Sequence, residues 1–319
     1  MLRVIVLMLL TAVSCAQNLK LEKTLSAPAG AGVRFAAISP KGDAVAGACQ
    51  DGRVRLWVFP SGELRQAFDL KDERIFGIWF SDDASLLAVA GSRGGVRIWQ
   101  LPSAKLKVEF KADGPVSALA ISPDRQLLAL ATEGAAPAEL WDLSLGKQVT
   151  DLPAKFGGTL AVAFSPDSQR LALADGDTQV RLFEAATGAI RATNDDLPLE
   201  SFALAFSADG KTLFTGGADK TVSVLDAVSG KVVSAFPRQE FVVRDLQTSR
   251  DGKSLAAAYV DDKSSENPAP VLIWDIAGRK VRRSVLQPGL KLNGGGFVPD
   301  GRLLMTSSDG NILKVWSVR

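Results

Sequence analysis

Histidine is absent from the 319 residues. Its absence excludes Ser–His–Asp and Cys–His nucleophiles, histidine-based acid–base catalysis and histidine-ligated metals. Cysteine occurs only at Cys15 and Cys49, and Cys15 lies in a segment predicted to be processed. We therefore expect no disulfide within the chain, and we expect Cys49, in an apolar strand, to be a small buried hydrophobic residue.

Charge imbalance and long apolar runs are also lacking. The net charge is +2, from 37 basic and 35 acidic residues, which gives no electrostatic reason to expect nucleic acid or an anionic membrane as partner. No apolar run is long enough to span a bilayer. The composition, 46% hydrophobic and 23% charged, is typical of a folded soluble protein.

The N-terminus predicts export. Arg3 is followed by an apolar run over residues 4–13 and by a small-x-small cleavage site at 14–16, so we expect a signal peptide at 1–16 and a mature chain from Gln17. The same residues allow a second interpretation, because Ala12–Cys15 loosely resembles a lipobox that would anchor the chain through a lipid on Cys15. The expected location is periplasmic or extracellular in either case, with the lipoprotein as the alternative.

A repeat of about 42 residues fills the rest of the chain. Each unit has a strand that ends in a bulky residue, here called its anchor, and these residues are Trp57, Trp99, Trp141, Phe183, Leu225, Trp274 and Trp316. A Ser-Pro- or Ser-Asp-like turn keeps step with the anchors, as at 39–40 and 165–167, and turn residues recur about every ten positions. Each unit therefore holds four short strands, with minimal helix.

The two ends of the repeat region complement each other. Residues 18–25 match the fourth strands of other units, whereas the C-terminal unit stops after its third strand. We expect the N-terminal strand to complete the last unit and close its open edge. The prediction is an all-β fold: one seven-bladed β-propeller over 17–319, with four-stranded antiparallel blades, acting as a monomer.

The period and the Trp141-Asp142 and Trp274-Asp275 dipeptides resemble the WD40 family. The tight-turn aspartate of that family is matched by Asp51, Asp177, Asp219 and Asp309. The family's Gly-His dipeptide is missing, so its histidine hydrogen-bond network cannot form. The pattern is similar to divergent WD40-like propellers of exported bacterial proteins. The resemblance implies that the loops between second and third strands and those between blades share one face, which commonly binds partners.

Motifs for nucleotide binding or catalysis are weak in this sequence. The strings at 210–212 and 252–254 imitate the end of a P-loop but lack its first glycine, and both are interpreted as turns. The innermost strands carry only Arg34, Arg244 and Asp245 as charged residues, and alternation along a strand separates the last two. We predict no catalytic residue, no metal and no cofactor.

Candidate partner-binding residues lie on the expected loop face. The enlarged loop at 260–270 carries Asp261, Asp262 and Lys263, with a tolerated surface insertion as the alternative. The loops between blades supply aromatic and arginine residues, which are common interface hot spots, although core packing explains the phenylalanines equally well; these residues are Arg34, Arg74, Phe76, Phe156, Phe202, Phe241 and Arg244.

The sequence thus favours an exported, non-catalytic scaffold that binds a protein or peptide on its loop face. The alternative is a propeller that binds a small ligand or sugar in its central channel, with a hydrolase or lyase activity.

Overall fold

The computed structural model describes residues 19–70, 74–132, 134, 136–153, 158–263, 269–285 and 292–318, apart from the side chains at 35, 292–294 and 307–309. Across these ranges the chain forms 28 β-strands and no helix. They make seven four-stranded antiparallel sheets, each a blade of a propeller, which confirms the predicted fold class.

In blades one to six the strands run in chain order from the innermost to the outermost strand. Blade one comprises β2 Val33–Ile38, β3 Ala44–Cys49, β4 Arg53–Val58 and β5 Leu64–Asp69. Blade two comprises β6 Ile75–Phe80, β7 Leu86–Gly91, β8 Gly95–Gln100 and β9 Lys105–Lys111. Blade three comprises β10 Val116–Ile121, β11 Leu127–Thr132, β12 Ala138–Asp142 and β13 Lys147–Leu152. Blade four comprises β14 Thr159–Phe164, β15 Arg170–Asp175, β16 Val180–Glu184 and β17 Ile190–Asn194. Blade five comprises β18 Ser201–Phe206, β19 Thr212–Gly217, β20 Val222–Asp226 and β21 Val232–Ala235. Blade six comprises β22 Val242–Thr248, β23 Ser254–Val260, β24 Val271–Asp275 and β25 Lys280–Val285.

Blade seven contains both ends of the ring. It comprises β26 Leu292–Phe297, β27 Leu303–Asp309, β28 Ile312–Val318 and, as its outermost strand, β1 Leu19–Ser26. β1 pairs antiparallel with β28 from Leu19↔Val318 to Ser26↔Ile312. The predicted closure by the N-terminal strand is therefore confirmed.

In blades one to six, the turn after the innermost strand is built by a serine and an aspartate. In blade three, Ser122 Oγ donates to Asp124 Oδ1 at 2.6 Å and accepts from the Leu127 amide at 2.9 Å. The same arrangement recurs from blade one to blade six, for example at Ser39 and Ser249. These local bonds satisfy backbone amides where the chain reverses, so each hairpin is specified by its own short sequence. We call the face that carries these turns the turn face.

The core is divided among the blades. Seven buried clusters each join two neighbouring blades, and the one between blades one and two pairs Val54 and Leu56 with Leu87 and Val89. β7 Leu86–Gly91 is buried along its whole length, and most residues of the other described second strands are buried as well. The ring is held by apolar contact at every junction, because a single blade cannot bury its own two faces.

The anchor residues pack against the preceding blade of the ring. Trp99 lies in the cluster with blade one, Phe183 in that with blade three, and Trp274 in that with blade five. In the first six blades the anchor pairs across to the start of the second strand, as in Val45↔Trp57 and Leu255↔Trp274. Each anchor thus fastens its blade to the preceding one.

Blade seven departs from this pattern. Trp316 pairs with Met305 and is half-buried, whereas Val318, which is buried, stands beside the start of β27 and packs between blades six and seven. The cause is the short turn between β27 and β28, where Asp309 pairs with Ile312 and Gly310 has φ +56°. This turn shifts the pairing of β28 by two residues, so Val318 takes the position expected for Trp316.

Polar pairs involve the third-strand residues that lie close to the anchors. Two residues before the anchor, Arg55 binds Asp51 through two hydrogen bonds of 3.0 and 2.6 Å, and Arg97 lies 2.7 Å from Glu109. In blade three, Trp141 Nε1 donates to Glu139 Oε2 at 2.7 Å. Third strands are therefore tied to their own turns or neighbours by chemistry that does not need histidine.

Candidate functional site: the loop-face mouth of the central channel

Every innermost strand is bulged at the same position. The pairing with the second strand skips one residue near the start of each innermost strand, between Val33 and Phe35 in blade one and between Val243 and Asp245 in blade six. The skipped residues of the seven blades are Arg34, Phe76, Ser117, Leu160, Phe202, Arg244 and Asn293. A bulge redirects a side chain and stops it from following the alternation of the strand.

These seven positions surround one opening. Innermost strands begin at the face that carries the connections between blades and between second and third strands, which we call the loop face. The skipped residues therefore ring the loop-face mouth of the channel. Arg34, Ser117 and Arg244 are exposed, while Phe76, Leu160 and Phe202 are half-buried.

Two arginine–phenylalanine contacts lie at the mouth. The Arg244 guanidinium carbon is 4.2 Å from the centre of the Phe202 ring, which joins blade six to blade five. Arg74, just before β6, approaches the Phe76 ring at 6.0 Å. The closer pair is a cation–π contact, and it holds the guanidinium in place while its edge stays exposed.

Asp245 lies one residue deeper in the channel. Its carboxylate accepts a hydrogen bond from the Leu246 amide at 2.9 Å. The side chain is exposed within the channel, whose walls separate it from bulk water. Removal from bulk water by these walls raises the pKa of Asp245 to about 6. The bulge breaks the alternation that the sequence analysis used to separate Arg244 from Asp245, and both residues are exposed on the same strand.

The channel is crossed at the turn face. Arg250 Nη2, in the first turn of blade six, donates to the carbonyl of Asp82 in the first turn of blade two at 2.6 Å. Blades two and six are not neighbours in the ring, so this bond spans the opening. A residue of a partner that enters the channel therefore has its wider access from the loop face.

Other predicted candidates lie elsewhere. Phe241 precedes β22 and packs against the core between blades five and six, which matches the core alternative. Asp262 forms an ion pair of 2.7 Å with Lys220 of blade five, and Lys263 N donates to Asp261 Oδ1, so this start of the 260–270 loop is held on the loop face. Phe156, the segment 1–16 and Cys15 are outside the described residues.

Phe76 and Phe202 correct one expectation. They were expected in loops between blades, but they belong to strands β6 and β18 and reach the mouth through bulges. Ser117 and Leu160 were not among the candidates. A signal for all of them exists in the sequence, because each lies five residues before the turn serine of its blade, as Arg34 does before Ser39.

No metal centre emerges from the described part of the chain, where no three histidine, cysteine, aspartate or glutamate side chains come together. The P-loop-like strings form turns, with Gly210 at φ +68° and Gly252 at φ +67°. Cys49 is buried, and burial raises the pKa of its thiol. The described ranges contain no helix that is long and apolar enough to cross a bilayer.

Comparison with known families agrees with the architecture. A model described as "WD domain, G-beta repeat" matches residues 19–58 and 201–226. The first match runs from β1 through β4, and the second covers the first three strands of blade five. No curated protein matches the chain significantly. The seven blades, the closing N-terminal strand and the two matching repeats support assignment of the chain to the WD40-repeat β-propeller family.

Proposed function

We propose that this protein is an exported, non-catalytic scaffold that binds a protein or peptide partner at the loop-face mouth of its channel. WD40 propellers serve generally as platforms for protein interactions. One observation carries the proposal for this chain. Four blades deliver Arg34, Phe76, Phe202 and Arg244 to one opening, exposed or half-exposed, through bulges.

The chemistry of these residues suits recognition. Arginine and aromatic side chains dominate binding hot spots because they combine a large apolar surface with directed hydrogen bonds. The contact between Arg244 and Phe202 fixes two rotamer-rich groups before a partner arrives. Less side-chain entropy is then lost on binding.

Affinity capture tests this function. The chain from residue 17 would be immobilised and cross-linked to an extract of its source cells, alongside a variant carrying Arg34→Gln, Phe76→Ser, Phe202→Ser and Arg244→Gln. A turn-face control, Arg65→Gln with Lys253→Gln, also removes two positive charges. We expect partners that the wild type and the control retain and the mouth variant loses by at least tenfold. Equal capture by all three proteins would contradict the loop-face site.

Export is part of the proposal and depends on residues 1–16. The Arg3 n-region, the short apolar run and the small residues at 14–16 support it. Intact-mass analysis of the protein from cells distinguishes the outcomes. A chain beginning at Gln17 indicates simple cleavage, a diacylated chain beginning at Cys15 indicates a lipid anchor, and an unprocessed chain in the cytoplasm contradicts export.

The alternative function, a small ligand in the channel, has one observation in its favour. Asp245 presents a carboxylate with a raised pKa to the channel, and such groups occur at functional sites. Its hydrogen bond goes to the backbone of its own strand and not to a second catalytic group. A screen of neutral sugars and amines by thermal shift, with Asp245→Asn as control, tests this function, and a shift lost in the variant would favour it over the scaffold.

A further inference from the structure

The residues around the mouth are segregated by chemistry. In ring order from blade six, Arg244 is followed by blade seven and then by Arg34 of blade one. The next four blades contribute Phe76, Ser117, Leu160 and Phe202, in that order. We call blades six, seven and one the cationic arc and blades two to five the apolar arc. Arg74, just before β6, adds a third exposed arginine where the apolar arc meets blade one. The mouth is thus positively charged on one side and mainly apolar on the other.

The cationic arc presents its charge to solvent. Arg34 and Arg244 are both exposed. The Phe202 ring supports one face of the Arg244 guanidinium and leaves its N–H edge available, which is the edge that binds a carboxylate in a bidentate manner. Together with the exposed charge of Arg34 on the other side of blade seven, the Arg244 guanidinium would attract an anionic group to that side of the mouth.

The apolar arc offers unfilled contact surface. Phe76, Leu160 and Phe202, each the second residue of its strand, keep part of their surface exposed at the mouth. Ser117 interrupts the arc with a small hydroxyl group that donates to the Ala131 carbonyl of its own blade at 3.3 Å. A partner side chain that covers Phe76, Leu160 or Phe202 would remove apolar area from water, which favours binding.

We propose that the mouth binds an acidic segment of a partner protein, with a carboxylate on the cationic arc and a large apolar side chain on the apolar arc. The proposal rests on the proposed function and names the chemistry of its partner. The bond between Arg250 and Asp82 at the turn face makes the loop face the wider entry, so both groups approach from the same side.

Asp245 adds a prediction about charge. A carboxylate bound near Arg244 would be repelled by an ionised Asp245, which lies next to it in the strand. Since the pKa of Asp245 is raised to about 6, binding should strengthen as the pH falls from 7 to 5.5. Asp245→Asn should remove this dependence and strengthen binding at pH 7. Asp261 and Asp262 also lie on the loop face, so their double substitution by asparagine serves as the matched control.

A random peptide library tests the proposal directly. Peptides displayed with blocked ends would be selected on the chain from residue 17, and the enriched sequences compared with those selected on Arg34→Gln/Arg244→Gln, on Phe76→Ser/Phe202→Ser and on the turn-face control Arg65→Gln/Lys253→Gln. We expect wild type and control to enrich peptides with aspartate or glutamate within three residues of a large apolar residue. Affinity of a selected peptide, measured by fluorescence anisotropy, should fall at least tenfold with Arg34→Gln/Arg244→Gln.

The outcomes separate this proposal from the function on which it rests. Loop-face-dependent enrichment of neutral or basic peptides would overturn the acidic partner and leave the scaffold function standing. A second library with free C-termini distinguishes a side-chain carboxylate from a terminal one, and enrichment only there would overturn an internal acidic segment. Absence of any enrichment that depends on the mouth, together with equal affinity capture by wild type and mouth variant, would overturn both. The arginine substitutions are at exposed positions, so a wild-type melting temperature is expected and checks that the fold is intact.

Discussion

At the residue scale, the most enclosed charges belong to blade four. Arg181 is 4% exposed and forms ion pairs with Asp175, which is fully buried, and with Asp177 at 2.7 Å. Asp175 also accepts a hydrogen bond from Thr159 Oγ1 at 2.9 Å. Burying these groups costs solvation free energy, so each depends on the presence of its partners.

Removal of the arginine tests that dependence. Arg181→Ala leaves Asp175 buried without its cation, and we expect the free energy of unfolding to fall by about 3–5 kcal/mol. Arg55→Ala is the matched control, because its partner Asp51 is 33% exposed and regains water, at a cost of about 1.5–3 kcal/mol. Urea unfolding of both variants measures the difference. A smaller loss for Arg181→Ala than for Arg55→Ala would show that the buried pair is not holding blade four.

Asp245 predicts a pH dependence of stability. Its pKa in the folded protein, about 6, lies above the ordinary value of about 3.9 for the unfolded chain. The folded protein therefore binds this proton more tightly, and the stabilisation is complete below about pH 4 and lost as the pH rises through about 6. Asp245→Asn should reduce the fall in melting temperature between pH 4 and pH 6.

Asp209 supplies a control of opposite sign. The hydrogen bond from Ser207 lowers the pKa of Asp209, so its contribution is present at neutral pH and lost as the pH falls below about 4. Asp209→Asn should lower the melting temperature at pH 7, whereas Asp245→Asn should not. Identical pH profiles for wild type and Asp245→Asn would contradict the raised pKa.

At the element scale, strand number and order were predictable and bulges were not. Turns and apolar alternation repeat along the chain and place the four strands of the second blade at 76–80, 86–90, 96–99 and 106–110. Strands β6 to β9 lie within one residue of these bounds. A bulge depends on how two strands share hydrogen bonds, so turns and apolar alternation do not predict it. Its position, five residues before the turn serine in blades one to six, becomes a recognisable signal only once the pairing is known. The positions of Phe76 and Arg244 at the mouth, and the shift of Trp316, follow from such pairing.

Strand β1 offers a test within one element. Leu25 is 1% exposed in the cluster between blades seven and one, whereas Leu21, on the same strand, is 44% exposed. Leu25→Ala should cost about 2–5 kcal/mol of unfolding free energy. Leu21→Ala should cost about 0.5 kcal/mol or less. Equal losses in urea unfolding would mean that β1 is not docked as described, and amide exchange in β28 provides an independent measurement.

At the scale of the whole molecule, the sequence predicts the ring because seven equal units with a displaced strand leave no blade incomplete. It does not predict the two arcs of the mouth. The arcs depend on which blades are neighbours around the channel. Arg244 contacts Phe202 only because β22 lies beside β18. The bond between Arg250 and Asp82 likewise joins residues 168 positions apart.

Removal of β1 tests closure. A chain lacking residues 17–26 leaves β28 as an unpaired outer strand, and such edges pair with other copies. We expect dimers or larger species by light scattering after size exclusion, and a broadened thermal transition. A monomer with the melting temperature of the intact protein would contradict the role of β1 in holding the ring.

The pairing of Leu19 with Val318 also sets an order in time. During synthesis the first strand leaves the ribosome almost 300 residues before its partner in β28, so six blades can assemble while β1 waits. A prematurely terminated product never acquires the strand that β1 needs. The fold therefore distinguishes full-length from truncated products, and proteases that recognise loose ends would remove the latter.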